Sequence, residues 1–135
     1  MDTTVWVGHL RGLGASPHVR RLRAAFGQEP IVVGDLVMLE VLQGVPDEGR
    51  AGTVERLLRD FIVVRMLDDG LAVRAARNTR TLRARGVTVR KTMDMVIGTY
   101  CLEHGLPLLH DDRGFDQMER HLGLAVVHPG PTPGG

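Results

Sequence analysis

Four acidic side chains spread along the chain have the types and positions that divalent-metal chemistry needs: Asp2, Glu40, Asp94 and Asp112. In one pocket, six pairs of such charges about 6 Å apart, at a dielectric constant of about 20, repel by on the order of 15 kcal/mol. That repulsion exceeds the stability of an ordinary domain. A hard cation bound by oxygen ligands removes it. We therefore expect Mg²⁺, or alternatively Mn²⁺, since the chain has one Cys and no clustered His.

Each of these acids also has an ordinary structural explanation. Asp2, Asp94 and Asp112 stand where helix caps or first-turn partners of a helix dipole stand. Glu40 shares a helical stripe with Leu36 and Leu39 and is expected to point inward with them, where it could pair with a buried Arg. Only convergence of the four acids on one pocket favours the metal site over these structural roles.

The elements that must position these acids alternate along the chain. Short apolar runs at 30–33, 61–64, 107–110 and 124–127 do not alternate with polar residues, which is typical of strands covered on both faces. Segments of helical period lie near 17–26, 36–43, 51–60, 69–85, 93–104 and 115–122, several of them ending at a glycine. This order predicts an α/β fold with a mainly parallel sheet and a ligand site beyond the carboxyl ends of its strands. Asp111 and Asp112 directly follow the third run.

Bulk composition narrows the class of protein. The 135 residues suit a single domain over 1–128, and PGPTPGG at 129–135 is typical of a disordered tail. One cysteine, Cys101, permits no internal disulfide, and no signal peptide or membrane span is visible. We therefore predict a soluble cytoplasmic protein. Its net charge of +1 leaves only local patches for a polyanion, although sixteen of the seventeen basic residues are arginines.

Four sequence segments resemble the motifs of PIN domains. They are MDTTVWV at 1–7, LEVLQG at 39–44, TMDMVI at 92–97 and LLHDDRGFD at 108–116. The similarity covers nearly the whole chain before the tail and is greatest to VapC-type toxins, the nuclease halves of bacterial toxin–antitoxin pairs. It implies a three-layer α/β/α fold with a central, mainly parallel sheet.

The resemblance also implies a function for the acids. Asp2, Glu40, Asp94 and Asp112 would bind Mg²⁺ or Mn²⁺, and Thr4 would occupy the hydroxyl position of the first motif. Asp116 matches a further acidic position near the metal, and Arg113 matches the basic residue after the last acid. The implied reaction is hydrolysis of RNA by a metal-activated water. The implied partners are RNA, a VapB-like antitoxin and a second copy of the chain.

The N-terminus departs from the family pattern. PIN domains begin with an apolar strand that delivers the first Asp, whereas only Met1 precedes Asp2. We expect the first strand to be truncated or missing in this sequence. We further expect the natural product to begin upstream of Met1, with about four more apolar residues.

Three alternatives remain open at this point. A PIN-type nuclease that processes RNA would share the fold without being a toxin. An interaction module would use the same acidic pocket only to bind a partner's Arg. A phosphatase of the haloacid dehalogenase type would need a second Asp where Thr4 stands, and it leaves Glu40 without a role.

Several other residues could bind substrate but have simpler interpretations. Four arginines, Arg74, Arg77, Arg80 and Arg83, recur every third residue on one predicted helix and most resemble a solvated face. His110 adjoins the predicted site, and we interpret it as incidental. We assign Met93, Met95 and Cys101 to the core.

Overall fold

The computed structural model describes residues 17–110 and 113–129. The chain divides into two compact units, and we describe each by itself. The first contains residues 1–65, 109–111 and 128–135, and the second contains residues 66–108 and 112–127. The N-terminal segment, where we expect the first strand to be truncated or missing, and almost all of the predicted tail lie outside the described residues.

In the first unit, helix α1 spans Pro17–Ala25 and buries a single stripe formed by Val19, Leu22 and Ala25. Proline suits the first turn of a helix, where its missing N–H costs no hydrogen bond. After the helix, Gly27 adopts a φ of 73°, which side chains with a Cβ rarely adopt.

The sheet of the first unit consists of two parallel strands. Strand β1 covers Val32–Gly34 and strand β2 covers Ile62–Val64, with Val33 opposite Val63. Parallel neighbours need a long crossover, and two helices supply it. Helix α2 covers Asp35–Gln43 and helix α3 covers Glu48–Arg59.

Local signals explain where both crossover helices begin and end. Helix α2 begins directly after β1 and is closed by Gly44, as predicted. Helix α3 begins at Glu48, three residues before its predicted start, because Asp47 Oδ1 accepts a hydrogen bond of 2.8 Å from Gly49 N. A hydrogen-bonded ion pair of 2.8 Å between Arg59 and Glu55 lies on the exposed face.

In the second unit, helix α4 spans Asp69–Ala84 and packs against helix α5, Thr92–His104. Asp68 caps α4 by accepting a hydrogen bond of 2.7 Å from Leu71 N. Every residue of α5 from Asp94 to Cys101 is buried, so this helix is enclosed on all sides rather than along one stripe. It ends at Gly105, with a φ of 61°.

The end of the second unit is a short 3₁₀ turn, Arg113–Phe115, followed by helix α6, Asp116–Leu122. Before the turn, Leu108 forms an isolated parallel bridge with Val126. Two hydrogen bonds of 2.9 Å hold the bridge, one from Leu108 N to Ala125 O and one from Val127 N to Leu108 O.

The sequence predicted all six described α-helices and the parallel pairing, but three expectations about apolar residues were wrong. The runs at 107–110 and 124–127 contribute only the one-residue bridge, not full strands. Ile62 and Val63 are 52% and 38% exposed, so β2 is not covered on both faces. In α2 the buried face is Val37 and Val41, because the helix rotates Leu39 toward solvent, where it is 50% exposed.

Candidate functional site

Asp94 is the acidic residue whose surroundings the structure defines best. It lies in the first turn of α5 and is only 7% exposed. The amino end of a helix favours a negative charge, because the first backbone N–H groups have no partner within the helix. Helix α5 thus holds a carboxylate in a largely buried position.

A cavity of about 370 Å³ opens beside this carboxylate. We call it the Asp94 cavity. Its lining contains four apolar side chains, Leu82, Val87, Val89 and Met118. The remainder is mostly polar: Thr88, Arg90, Lys91, Asp94, Arg113, Gly114 and Gln117. All of these residues belong to the second unit, so α4, the loop at 85–91, α5, the 3₁₀ turn and α6 form one continuous site.

Among the described residues that line the Asp94 cavity, positive charges outnumber negative ones. Arg90, Lys91 and Arg113 contribute three cations, and Asp94 contributes one carboxylate. Within residues 17–110 and 113–129, neither Arg90 nor Arg113 forms an ion pair, and both are exposed. Their guanidinium groups can therefore bind an anion supplied from solution.

Glu40 lies in the other unit, on helix α2. It is half-buried, and its Oε1 atom is shielded from solvent. It stands three residues after Val37 and directly before Val41, the two residues that form the buried face of α2. The predicted inward orientation of Glu40 is confirmed for this oxygen, although the apolar neighbours differ from those expected.

The remaining predicted site residues fall into two groups. Asp116 is exposed at the first position of α6, and Arg113 lines the Asp94 cavity. Asp2, Thr4 and Asp112 lie outside the described residues. Among the residues that are described, no three His, Cys, Asp or Glu side chains gather as a metal-binding group, and the four-acid site stays a prediction.

Two features of the second unit were not anticipated from the sequence. Asn78 Nδ2 donates a hydrogen bond of 3.0 Å to Oγ1 of Thr99, which is fully buried. The loop that contributes Val87, Val89 and Arg90 to the cavity gave no periodic signal. The only sign of this loop's role in the sequence is RKTMD at 90–94, in which two cations precede the acidic start of a helix.

The arginines on α4 are mostly solvated, as predicted. Arg77, Arg80 and Arg83 are exposed, whereas Arg74 is half-buried with its Nε 3.2 Å from Glu103 Oε1. His110 is 6% exposed. Met95 and Cys101 are buried as expected, and Met93 is half-buried. Within the described part of the chain, no helix is both long and apolar enough to span a membrane.

Comparison with known proteins identifies one family. The family model described as PIN domain matches residues 1–121. The chain is 32% identical over 130 residues to a protein named VapC ribonuclease Mb1587 from Mycobacterium bovis. It is equally similar to proteins named Ribonuclease VapC11 from two strains of Mycobacterium tuberculosis, CDC 1551 and H37Rv. Each alignment covers 94% of this chain and 96% of the relative.

Proposed function

The chain belongs to the PIN-domain family, and we propose that it is a metal-dependent ribonuclease of the VapC type that hydrolyses RNA phosphodiester bonds. The observation that carries this proposal is Asp94, a buried carboxylate at the start of α5 with a cation-lined cavity beside it. This combination offers an oxygen ligand for a metal next to groups that attract phosphate. The match to the family model spans both compact units, which supports a single nuclease domain over residues 1–128.

The described acids fit a hard divalent cation. Asp94 is buried, and one carboxylate oxygen of Glu40 is shielded from solvent, so each offers an oxygen donor away from bulk water. Cys101, the only thiol, is one of the buried residues of α5. An all-oxygen donor set suits Mg²⁺ or Mn²⁺ more than zinc. We propose that Asp2, Glu40, Asp94 and Asp112 hold the ion.

The ion would supply a water acidified toward neutral pH and would neutralise charge on the phosphoryl oxygens. Side chains of the protein would position the ion and the substrate. Asp94 lies on the enclosed helix α5, and its burial restricts the positions that its carboxylate can take. Thr4 would orient a ligand by hydrogen bonding, and Asp116 would add a further negative charge at the edge of the site. Arg113 would hold a phosphate oxygen of the RNA.

The biological setting follows from the same family. We propose that the protein is the toxin of a VapBC-type pair, that it acts in the cytoplasm, and that a VapB-like antitoxin inhibits it. We further propose that it functions as a homodimer. The names of the relatives and their near full-length alignment support the toxin assignment over a role in routine RNA processing.

Brief induction of the protein in cells, followed by sequencing of RNA 5′ ends, tests the proposed function. We expect new 5′ ends at a limited set of sites with the wild-type chain and none with Asp94→Asn. Identical ends with both proteins, or an absence of new ends in the wild type, would contradict the assignment.

A further inference from the structure

The Asp94 cavity has features that metal binding does not explain. Its volume of about 370 Å³ lies within the roughly 300–1,000 Å³ typical of small-ligand pockets. A bare or partly hydrated cation needs only a few oxygen ligands, not an apolar wall. Val87 and Val89, both half-buried, form the part of that wall that solvent reaches, whereas Leu82 and Met118, each 1% exposed, offer almost no accessible surface. The wall is suited to the flat face of an organic group.

The polar part of the cavity matches a phosphate ester. Arg90 and Arg113 are exposed and form no ion pair in the described ranges of the chain. Lys91, at the amino end of α5, adds a third cation. Guanidinium groups can bind phosphate oxygens through paired hydrogen bonds and can also stack on a base. An apolar wall with a cationic rim fits one nucleotide.

Gln117 is the group that could distinguish one base from another. It is half-buried on α6 and lines the cavity next to Met118. Its amide offers two donors and one acceptor, and among the described residues nothing bonds to that side chain. Bases of single-stranded RNA are read by such groups along their exposed edges.

We propose that the Asp94 cavity binds a single nucleotide of the RNA substrate next to the bond that is cut, and that Gln117 contacts its base. The proposal rests on the proposed function for the placement of the scissile bond, since Asp94 is the link between the cavity and the metal. Arg90 and Arg113 bind the phosphates of that nucleotide. Among the described lining residues cations outnumber carboxylates three to one, which favours RNA over an inhibitory peptide as the occupant.

Occupancy can be tested without catalysis. The protein is labelled at its methionine methyl groups and titrated with AMP, CMP, GMP and UMP in the presence of EDTA. We expect the Met118 signal to shift in a saturable way with at least one nucleotide, and to shift less with inorganic phosphate alone. In Gln117→Ala the differences among the four nucleotides should shrink.

Cleavage of a short RNA pool with randomised positions around the cut tests the role in selectivity. We expect Gln117→Ala to reduce the base preference at one position by roughly 2- to 10-fold, the range of one lost hydrogen bond. Arg90→Ala should raise KM by a similar factor with kcat nearly unchanged, because it removes binding made equally in the ground and transition states. The matched controls are Gln43→Ala and Arg50→Ala, two exposed helical residues outside the cavity.

The possible results distinguish the proposed nucleotide site from the proposed ribonuclease function. A saturable Met118 shift in a chain that cleaves no RNA would uphold nucleotide binding and contradict the nuclease assignment. Metal-dependent cleavage with no Met118 shift and an unchanged base preference in Gln117→Ala would overturn the nucleotide site alone. Cavity variants that weaken only inhibition by the antitoxin would also overturn it, and would assign the cavity to a peptide.

Discussion

The sulfur of Met118, on α6, lies against Gly98, on α5, at a position that a Cβ on residue 98 would occupy. Both residues are buried, and a Cβ at residue 98 would force the Met118 side chain to shift. Gly98 thus lets α6 approach α5 closely. The same approach places Gln117, the neighbour of Met118, in the lining of the Asp94 cavity.

Adding one methyl group at this contact should destabilise the protein. We expect Gly98→Ala to lower the free energy of unfolding by about 1–3 kcal/mol, because overpacking forces a buried side chain aside. In the double variant with Met118→Val, which shortens the obstructing side chain, the loss should be smaller than the sum of the two single losses. Urea denaturation measures all three values.

Gly52→Ala is the matched control for that experiment. Gly52 also lies within a helix, α3, but a Cβ there would meet only Arg56 Nη1 at 3.8 Å, an ordinary contact. We expect this variant to be more stable by about 0.5–1 kcal/mol, since alanine loses less backbone entropy on folding. Equal effects at positions 52 and 98 would show that the Met118 contact is not tight.

Removal of the hydrogen bond between Asn78 and Thr99 should also destabilise the protein. Thr99→Val removes the acceptor but keeps the shape, and it leaves the half-buried amide of Asn78 without this bond. We expect the free energy of unfolding to fall by about 1–3 kcal/mol. Thr81→Val, on the exposed face of α4, should change it by less than about 0.5 kcal/mol. A Thr99→Val protein as stable as the wild type would refute the structural role of this bond.

The buried thiol of Cys101 should make the free energy of unfolding depend on pH. Burial raises the pKa of its thiol, so the folded chain keeps the proton in a pH range where the unfolded chain loses it. Its contribution to stability is therefore intact below the ordinary thiol pKa and is lost as the pH rises above it. Unfolding measured across alkaline pH should show a steeper decline for the wild type than for Cys101→Ala. Parallel curves would contradict the effect of burial.

The helices of the second unit illustrate what the sequence could reveal. Gly105 ends α5 as the sequence predicted, and the cap Asp68 directly precedes the predicted start of α4 at residue 69. The PIN-like α/β fold is also confirmed, because the family motifs extend along the chain. Short-range chemistry and motif order were sufficient for these features.

Long-range packing set the features that the sequence did not reveal. The burial of α2 through Val37 and Val41 depends on how the helix is rotated against its neighbours, and Leu36 and Leu39 are equally apolar candidates. The Asp94 cavity combines Leu82 and Arg90 with Gln117, which lies 27 residues further along the sequence, and the three have no shared pattern. Motifs indicated the acids and Arg113, but not the other cationic groups or the apolar groups around them.

Removal of the metal should abolish activity without unfolding the protein. We expect EDTA to stop RNA cleavage and added Mg²⁺ or Mn²⁺ to restore it, because only a cation makes the carboxylate cluster compatible with a phosphate. Mg²⁺ should also raise the melting temperature of the wild type more than that of Glu40→Gln, in proportion to binding by the folded state. Full activity in EDTA would be inconsistent with the metal site.

The most direct measurement of the central claim is the rate of Mg²⁺-dependent RNA cleavage by Asp94→Asn, compared with the wild type and with Asp69→Asn. Asp69 is an exposed first-turn acid of α4, so its variant makes the same chemical change at an ordinary helix start. We predict a loss of at least about 100-fold for Asp94→Asn, with its fold retained, because a metal ion contributes several kcal/mol to catalysis. Asp112→Asn should behave in the same way, and Asp69→Asn should remain active. Metal-dependent cleavage at the wild-type rate by both Asp94→Asn and Asp112→Asn would contradict the account.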